Sequence, residues 1–343
     1  MASDNETVLV TGGSGYIGGW CAIAALEAGY RVRTSVRSLS REAEVRARFA
    51  KVVDAGDRLS FHALDLLSDD GWDAATEGCD YVLHVASPIA AAQPKDPDVL
   101  IKPAREGARR AVGAGIKAGV KRVVLTSSVA ATSKRSDAAE TLSDETQWTD
   151  LSDPKVSAYA QSKTLAEKAA WELIGAAGGG ATTLATVNPA LVLGPVLGDD
   201  FSESIQVIER LVSGRMPGLP RLGFNLVDVR DVADLHLKAM TAPQAAGQRF
   251  IAAGEWAWMA DLAVLLKAKL GADGAKVPTR KVPDFVLRLA GLFDADIGSV
   301  AGGLGKKHDF TSAKAQKMLG WTPRSAEVTA LDCAKSLIAT GVV

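Results

Sequence analysis

Short apolar runs alternate along this chain with longer segments in which apolar residues recur at helical spacing. The run 7–11 is rich in β-branched residues and leads into glycines, and the segment 16–28 then places apolar residues at helical intervals before Gly29. This order predicts a strand, a glycine turn and a helix. Further strands are predicted at 31–36, 59–64, 81–85, 122–127 and 182–187, with helix-like segments between them. Repeated β-α units favour an α/β fold with a doubly wound parallel sheet.

The pattern changes after Pro189, where glycine and proline interrupt shorter elements. The segment 225–253 nevertheless has the pattern of a helix and a strand that return to the first sheet. We therefore predict a large first domain over 1–190, completed by 225–253. A smaller, interleaved C-terminal lobe is predicted to make up most of 191–343.

The composition is that of a folded globular protein without a charge bias. Of 343 residues, 47% are hydrophobic and 23% are charged, and 39 Lys and Arg oppose 40 Asp and Glu for a net charge of -1. Because the sequence shows no basic stripe, neither nucleic acid nor an anionic membrane is expected as a partner. A small neutral or weakly charged ligand is favoured instead.

The cysteines and the apolar runs indicate the expected cellular compartment and whether a metal site is expected. Cys21, Cys79 and Cys333 lie far apart without a CxxC pair, so we expect neither disulfides nor a zinc site, and no metal is predicted. The sequence has no run of roughly 18 apolar residues, the length that a membrane-spanning helix needs. Its acidic and polar start lacks the pattern of a signal peptide, and we expect a cytoplasmic protein.

The turn after the first strand carries a glycine pattern typical of phosphate binding. In residues 11–18, ThrGlyGlySerGlyTyrIleGly, the glycines fit TGxxGxxG, and this glycine loop stands between a predicted strand and a predicted helix. Without Cβ atoms, backbone N–H groups can approach a pyrophosphate, and the helix N-terminus adds partial positive charge. This predicts that the first domain binds a dinucleotide. The predicted cofactor contacts in the loop are Gly12, Gly15, Tyr16, Ile17 and Gly18.

The ends of the second and third strands indicate which nucleotide is bound. Folds specific for NAD commonly place an acid at the end of the second strand, whereas this chain has Arg37 there. A planar guanidinium can grip a 2′-phosphate, with Arg41 near enough to assist, which favours NADP(H); a solvated surface arginine is the alternative. Asp65 and Leu66 end the third strand where an adenine could rest. Asp65 either accepts a hydrogen bond from the adenine amino group or caps the following turn.

Tyr159 and Lys163 form a YxxxK pair, whose spacing places both side chains on one face of a helix. A tyrosine with a pKa near its reference value of about 10 is a poor proton relay at neutral pH, and a nearby ammonium lowers that pKa. Lys163 is expected to act in this way on Tyr159 and also to hydrogen-bond the nicotinamide ribose. For the pair taken alone, an ordinary amphipathic helix is the alternative.

The segment 122–128, ArgValValLeuThrSerSer, has the pattern of a buried parallel strand that ends in hydroxyl side chains. In open α/β sheets this end of a strand faces the ligand crevice. Ser128 is the third predicted catalytic residue and would orient a substrate carbonyl; a turn or N-cap serine is the alternative. Ser127 is expected to contact the cofactor or to satisfy backbone groups.

Taken together, the motifs resemble those of the extended short-chain dehydrogenases/reductases, specifically the dihydroflavonol-reductase-like branch that includes bacterial and fungal aldehyde and ketone reductases. The resemblance spans nearly the whole chain. Besides the glycine loop, it rests on GYRVRTSVR at 29–37, HVASP at 84–88, RVVLTSS at 122–128, DETQW at 144–148, YAQSKTLAEKAAW at 159–171, NPALVLGP at 188–195 and VDVRDVADLH at 227–236.

The resemblance implies a Rossmann domain with a small C-terminal substrate-binding lobe and a catalytic triad of Ser128, Tyr159 and Lys163. It also implies that Arg37 marks a preference for NADPH. Plant flavonoid reductases often carry Asn five residues after the catalytic serine, whereas this chain has Ser133, which disfavours a flavonoid substrate. The further residues that the resemblance assigns to the cofactor are Val85, Ala86 and Ser87, together with Asn188 and Pro189 against the nicotinamide.

The predicted function is the NADPH-dependent reduction of an aldehyde or ketone to an alcohol, with Tyr159 as proton donor. One alternative is oxidation of a hydroxysteroid-like alcohol, and another is epimerisation of a sugar nucleotide with tightly held NAD, against which Arg37 argues. A third is a nucleotide-sensing binding protein without turnover, which the intact pair of Tyr159 and Lys163 opposes. The expected partner is a small-molecule carbonyl compound, and a monomer and a homodimer are both compatible with the sequence.

Overall fold

A computed structural model of the chain describes residues 6–89, 94–133, 138–178, 180–198, 201–293, 298 and 301–343. Its strands are β1 (Thr7–Thr11), β2 (Arg31–Val36), β3 (Leu59–Ala63), β4 (Tyr81–His84), β5 (Arg122–Thr126), β6 (Glu140–Ser143), β7 (Thr183–Pro189), β8 (Leu191–Leu193), β9 (Gly223–Asp228), β10 (Gln248–Ala252), β11 (Trp256–Trp258) and β12 (Lys307–Phe310).

The α-helices within the same residues are α1 (Tyr16–Glu27), α2 (Glu42–Phe49), α3 (Trp72–Thr76), α4 (Asp98–Ala118), α5 (Ala158–Ala176), α6 (Gln206–Val212), α7 (Val229–Thr241), α8 (Met259–Lys269), α9 (Asp284–Ala290), α10 (Ala313–Leu319) and α11 (Ala326–Ala339). Short 3-10 turns cover Leu39–Arg41, Gly56–Arg58, Val129–Ala131, Glu203–Ile205, Pro243–Ala245 and Gly271–Gly274.

The centre of the fold is a sheet of seven strands in the order β10-β7-β5-β4-β1-β2-β3. Every neighbouring pair in it is parallel. The order reverses between β1 and β4, and in such sheets a ligand binds at the carboxyl ends of the strands beside that reversal. The predicted α/β class with a doubly wound parallel sheet is confirmed, and the strands predicted from the sequence agree with those observed to within two residues at each end.

Consecutive strand residues pack on opposite faces of the central sheet, so both faces are buried under helices. One face packs with α1 and α7, and the other with α4 and α5. Adjacent residues that divide between the two cores in this way are Val8 and Leu9, Val82 and Leu83, Val123 and Val124, and Leu184 and Ala185. This explains why the central strands read as unbroken apolar runs.

Two smaller sheets complete the described fold. One has the order β11-β9-β8, and the other pairs β6 with β12 in parallel. The segment 225–253 does return to the central sheet, through α7 and β10, after its first residues have ended β9 in a smaller sheet. Because β6 lies in the first half of the chain and β12 near its end, this small sheet joins distant parts of the sequence. The division at residue 190 stays a prediction.

Two general features concern membranes and metals. Within the described ranges, no helix has both the length and the apolar character needed to cross a membrane. Cys21, Cys79 and Cys333 are buried free thiols. In the same part of the chain, no group of three or more His, Cys, Asp or Glu side chains is arranged to hold a metal ion.

Candidate active site

The glycine loop connects β1 to α1 at the carboxyl edge of the central sheet. Gly12 has a φ of +75°, and a Cβ there would lie 3.0 Å from the Cα of Ala86, so a side chain is excluded on both grounds. A Cβ on Gly18 would collide with the carbonyl oxygen of Gly12. Close contact between the strand, the loop and the helix therefore depends on these glycines.

The start of α1 is open at this edge. Gly15 is its exposed N-cap residue, and no side chain caps the first turn. The first N–H groups of a helix have no partners within the helix, so they are available to an anion. Ile17 is half-buried, whereas the side chain of Tyr16 lies in the hydrophobic core. The cofactor contact predicted for Tyr16 is therefore open only to its backbone.

Arg37 follows β2 as an exposed side chain and, in the part of the chain that the structure describes, makes no hydrogen bond or ion pair. Arg41 instead pairs with Glu44, at 3.0 Å. The Asp65 carboxylate accepts a hydrogen bond from the backbone N–H of Leu67 at 2.7 Å, which is the turn-capping role weighed above. An available cation beside an open helix N-terminus fits a dinucleotide that carries an additional phosphate.

Thr11 fixes the end of β4 against the glycine loop. Its hydroxyl oxygen accepts hydrogen bonds from the N–H groups of Val85 and Ala86, both at 3.0 Å. The hydroxyl proton is therefore directed to His84 Nδ1, 2.9 Å away. Burial and the nearby Lys163 lower the pKa of His84 to about 3, so this imidazole is neutral and carries its proton on Nε2. Ser87, the next predicted cofactor contact, is half-buried.

The three predicted catalytic residues come from β5 and α5. Ser128 follows β5 and begins a 3-10 turn, where its hydroxyl oxygen accepts a hydrogen bond from the N–H of Ala130 at 3.1 Å. The same hydroxyl lies beside the Tyr159 phenol, close enough to lower its pKa. Tyr159 and Lys163 lie one turn apart in α5, which begins after its N-cap residue Ser157. Ser128 therefore combines the capping role with the placement expected of a catalytic residue.

Burial dominates the electrostatics of Tyr159 and Lys163. Although Tyr159 keeps part of its surface exposed, burial raises the pKa of its phenol, and the Ser128 hydroxyl opposes that rise. Burial also lowers the pKa of Lys163 to about 8, against the opposing charge of Glu167. The Lys163 ammonium donates to the Thr126 carbonyl oxygen at 3.3 Å. The expected lowering of the Tyr159 pKa by Lys163 is absent here: burial raises this pKa, and the opposing influence comes from Ser128.

Behind Lys163, one turn further along α5, lies the fully buried carboxylate of Glu167. Arg249 of β10 binds it as a fork, through Nε at 2.7 Å and Nη2 at 3.1 Å. The hydroxyls of Ser127 and Thr186 donate to it at 2.6 and 2.8 Å, and the Asn188 amide donates at 2.9 Å. We call these five residues the Glu167 network. Burial would raise the pKa of Glu167, but Arg249 and the other donors hold it below its usual range.

Arg249 also connects the network to the loop 144–148. Its guanidinium donates to the carbonyl oxygens of Glu145 and Gln147, at 2.7 and 2.8 Å. It also lies over the ring of Trp148, 3.7 Å from the centroid. The DETQW motif is thereby held against β10 and α5.

The network gives specific positions to two of the residues predicted to contact the cofactor. Ser127 directs its hydroxyl to Glu167, rather than to the backbone. The amide of Asn188 is fully buried and also donates to the Ser128 carbonyl oxygen, at 3.1 Å. Pro189 ends β7 as a buried residue. Ser127 and Asn188 therefore support the site through buried hydrogen bonds.

Sequence reasoning missed Glu167 and Arg249. Glu167 repeats the four-residue spacing from Tyr159 to Lys163, so it extends the same helix face, and an acid on a buried face was a usable signal. Arg249 is a charged residue within the predicted return to the central sheet, which was a second signal. Neither signal alone identifies the partner.

Parallel strands, an open glycine loop at the reversal of strand order and a serine–tyrosine–lysine group at the same edge define a dinucleotide-binding α/β protein. Residues 8–253 match the model of the NAD dependent epimerase/dehydratase family. The chain belongs to this family, and the resemblance drawn from its motifs is confirmed.

Relatives of established activity lie in the reductase branch. The chain is 37% identical over 255 residues to cinnamoyl-CoA reductase 2 of Arabidopsis thaliana. The aligned region covers 74% of this chain and 74% of that protein. It is 33% identical over 289 residues to an anthocyanidin reductase of Vitis vinifera, covering 80% of this chain and 83% of that protein. Yeast methylglyoxal/isovaleraldehyde reductase Gre2, solved with NADPH, superposes with a TM-score of 0.81 at 26% identity, over 98% of this chain and all of that one.

Proposed function

We propose that this protein is an NADPH-dependent reductase that converts an aldehyde or ketone to an alcohol. The observation that carries the proposal is the position of the Tyr159 phenol, which lies beside the Ser128 hydroxyl and one helical turn from the buried Lys163. This group stands at the carboxyl edge where the glycine loop would hold a dinucleotide. The oxidoreductase relatives support the same chemistry.

The residues present fit the cofactor. The side-chain-free surfaces of Gly12 and Gly15 and the open first turn of α1 suit a pyrophosphate, and Arg37 is free to pair with a 2′-phosphate. We assign the contact with the nicotinamide ribose to Lys163. When bound, NADPH supplies the hydride that reduces the carbonyl carbon.

The catalytic residues of the chain act on the carbonyl oxygen. Ser128 holds that oxygen by a hydrogen bond, and Tyr159 donates a proton to it as negative charge develops. Since the pKa of Tyr159 is raised, the phenol is protonated at neutral pH and ready to donate. The ammonium of Lys163 then stabilises the phenolate that the donation leaves behind. This sequence of events needs Lys163 charged and Tyr159 protonated.

The proposal is tested by mixing the purified protein with NADPH or NADH and a panel of aldehydes and ketones. We expect loss of the NADPH absorbance with at least one carbonyl compound, an equal amount of alcohol product, and slower turnover with NADH. Binding of NADPH without consumption of any compound would contradict the proposal and favour a nucleotide sensor. Turnover only with a sugar nucleotide, without net consumption of NADPH, would favour an epimerase.

A further inference from the structure

The Glu167 network is a buried polar group that the proposed mechanism leaves unused. Glu167 and Lys163 border the same small cavity, together with His84 and Ser127. Glu167 is 0% exposed and Lys163 is 5% exposed, so neither charge is screened by bulk water. The two side chains therefore interact through protein and not through solvent.

The network joins three neighbouring elements at the active edge. Glu167 belongs to α5, Ser127 follows β5, and Asn188 lies at the end of β7, beside β5 in the sheet. The Asn188 amide divides its hydrogen bonds between Glu167 and the Ser128 carbonyl oxygen. A displacement of the carboxylate would therefore move the backbone that carries Ser128.

The charges around Lys163 are few and can be named. Glu167 faces it from its own helix, His84 faces it from β4 as a neutral ring, and Tyr159 lies one turn earlier with a protonated phenol. Arg249, on β10, lies on the far side of Glu167. The Glu167 carboxylate thus compensates the charges of two cations, Lys163 and Arg249. Without it, Lys163 would share the interior with Arg249 and would lose the carboxylate that faces it from its own helix.

We propose that Glu167 is a positioning residue of the active site, whose carboxylate keeps the Lys163 ammonium charged in the interior and holds the Ser127 and Asn188 side chains that support Ser128. This inference rests on the proposed function for its catalytic meaning, but not for its effect on Lys163. It is supported by the pKa of Lys163, which burial lowers to about 8 and the charge of Glu167 raises against that trend.

The first test measures Lys163 directly. Protein labelled with ¹³C at the lysine Cε is titrated by NMR, and the Lys163 signal is assigned by its absence in Lys163→Arg. We expect a midpoint near pH 8 in the unmodified chain and one lower by about one pH unit or more in Glu167→Gln. The matched control is Glu172→Gln, the same substitution on the same helix at an exposed residue whose carboxylate lies 3.9 Å from Arg109. It should titrate like the unmodified chain.

An unchanged midpoint in folded Glu167→Gln would overturn the inference. If that variant does not fold, the titration of Lys163 in the unmodified chain tests the inference. A buried lysine without a partner titrates below about pH 6, so a Lys163 midpoint in that range would show that Glu167 does not keep Lys163 charged. A midpoint near 8 in that case supports the inference.

The second test reads the same effect in kinetics. Reduction requires charged Lys163, so kcat/KM falls as pH rises through the pKa of this residue in the free enzyme. In Glu167→Gln, the fall of kcat/KM should occur at a lower pH, and the shift should equal that of the NMR midpoint. In Glu172→Gln, kcat/KM should fall at the same pH as in the unmodified chain. A uniform loss without a shift in this pH would show a merely structural role. If no carbonyl compound is reduced by the unmodified chain, the proposed function fails while the NMR titration still decides the inference.

Discussion

The glycine loop and the Glu167 network lie at the same edge of the sheet but are built by opposite means. The loop works because side chains are missing: Gly15 and Gly18 approach the Gly12 carbonyl oxygen, and Gly12 approaches the backbone of Ala86. The network works through buried charged and polar side chains that reach α5 from β5, β7 and β10. One region shapes a binding surface, and the other sets the charge and position of catalytic groups.

This difference determines what a substitution does in each region. In the loop, an added methyl group at Gly12 or Gly18 is harmful because it has no space. In the network, the loss of one charge leaves another unpaired in a medium of low dielectric constant, where the cost is high. The following predictions test this contrast in order of decreasing effect.

The largest effect is expected for Tyr159→Phe, which removes the proton donor and leaves the ring. General acid catalysis is typically worth roughly 100-fold to 10,000-fold, so kcat should fall within that range. NADPH binding, measured by fluorescence, should remain within about threefold, because the phenol is not a phosphate contact. Full activity in this variant would remove Tyr159 from the mechanism.

Arg249→Met should lower the free energy of unfolding by about 3–5 kcal/mol, because it leaves Glu167 as an uncompensated buried charge. Urea unfolding measures this. Arg109→Met is the control, since Arg109 and Glu172 form an exposed pair at 3.9 Å, and it should change stability by less than about 1 kcal/mol. Equal losses in the two variants would show that burial of the pair is unimportant.

Acid should destabilise the fold through His84 and His236, whose pKa values burial lowers to about 3 and about 4. Between pH 6.5 and 4 the unfolded chain binds more protons at these residues than the folded chain, so stability falls as pH falls. Each should contribute a loss of about 2 kcal/mol between pH 7 and pH 5. Urea unfolding at pH 7 and pH 5 measures this loss of stability. In His236→Gln the loss should be smaller by the contribution of one histidine. A stability that does not change over this interval would contradict the assignment.

Gly18→Ala should lower the free energy of unfolding by about 1–3 kcal/mol, because its Cβ meets the Gly12 carbonyl oxygen. Gly175→Ala is a strict control, since Gly175 is also helical and its added Cβ would meet no atom within 4 Å. The control should be neutral or slightly stabilising, because alanine favours helix more than glycine does. Thermal unfolding compares the two, and equal behaviour would show that close packing of the loop is not needed.

Arg37→Ala should weaken NADPH binding about tenfold, as expected for one exposed charge-assisted contact, and should leave NADH binding nearly unchanged. Arg41→Ala should have a smaller effect, because Arg41 already pairs with Glu44. Dissociation constants from fluorescence titration measure both. Equal losses for the two cofactors would disprove recognition of the 2′-phosphate by Arg37.

The same contrast explains how much could be predicted from the sequence. The glycine loop, the strands and the pair of Tyr159 and Lys163 depend on periodicity and local spacing, and the structure places them as the sequence predicts. The sheet pairing of β6 with β12 was not predicted, because no local pattern records a partner that lies more than 160 residues away.

The Glu167 network escaped prediction for the same reason. Its members are scattered from Ser127 to Arg249, and only the fold brings their polar atoms within 3.1 Å of one carboxylate. The direction of the Tyr159 pKa shift was also wrong, since spacing along a helix shows proximity to Lys163 but does not show how deeply the phenol is buried. Burial is a property of the whole fold, and it determines the direction of the Tyr159 pKa shift.

The central claim is that a hydride passes from NADPH to a carbonyl carbon at the Tyr159 site. The most direct measurement uses NADPH deuterated at C4 of the nicotinamide, with one batch for each face, and mass spectrometry of the alcohol formed. We expect one deuterium on the carbinol carbon with one batch and none with the other. An alcohol without deuterium from both batches would contradict the account.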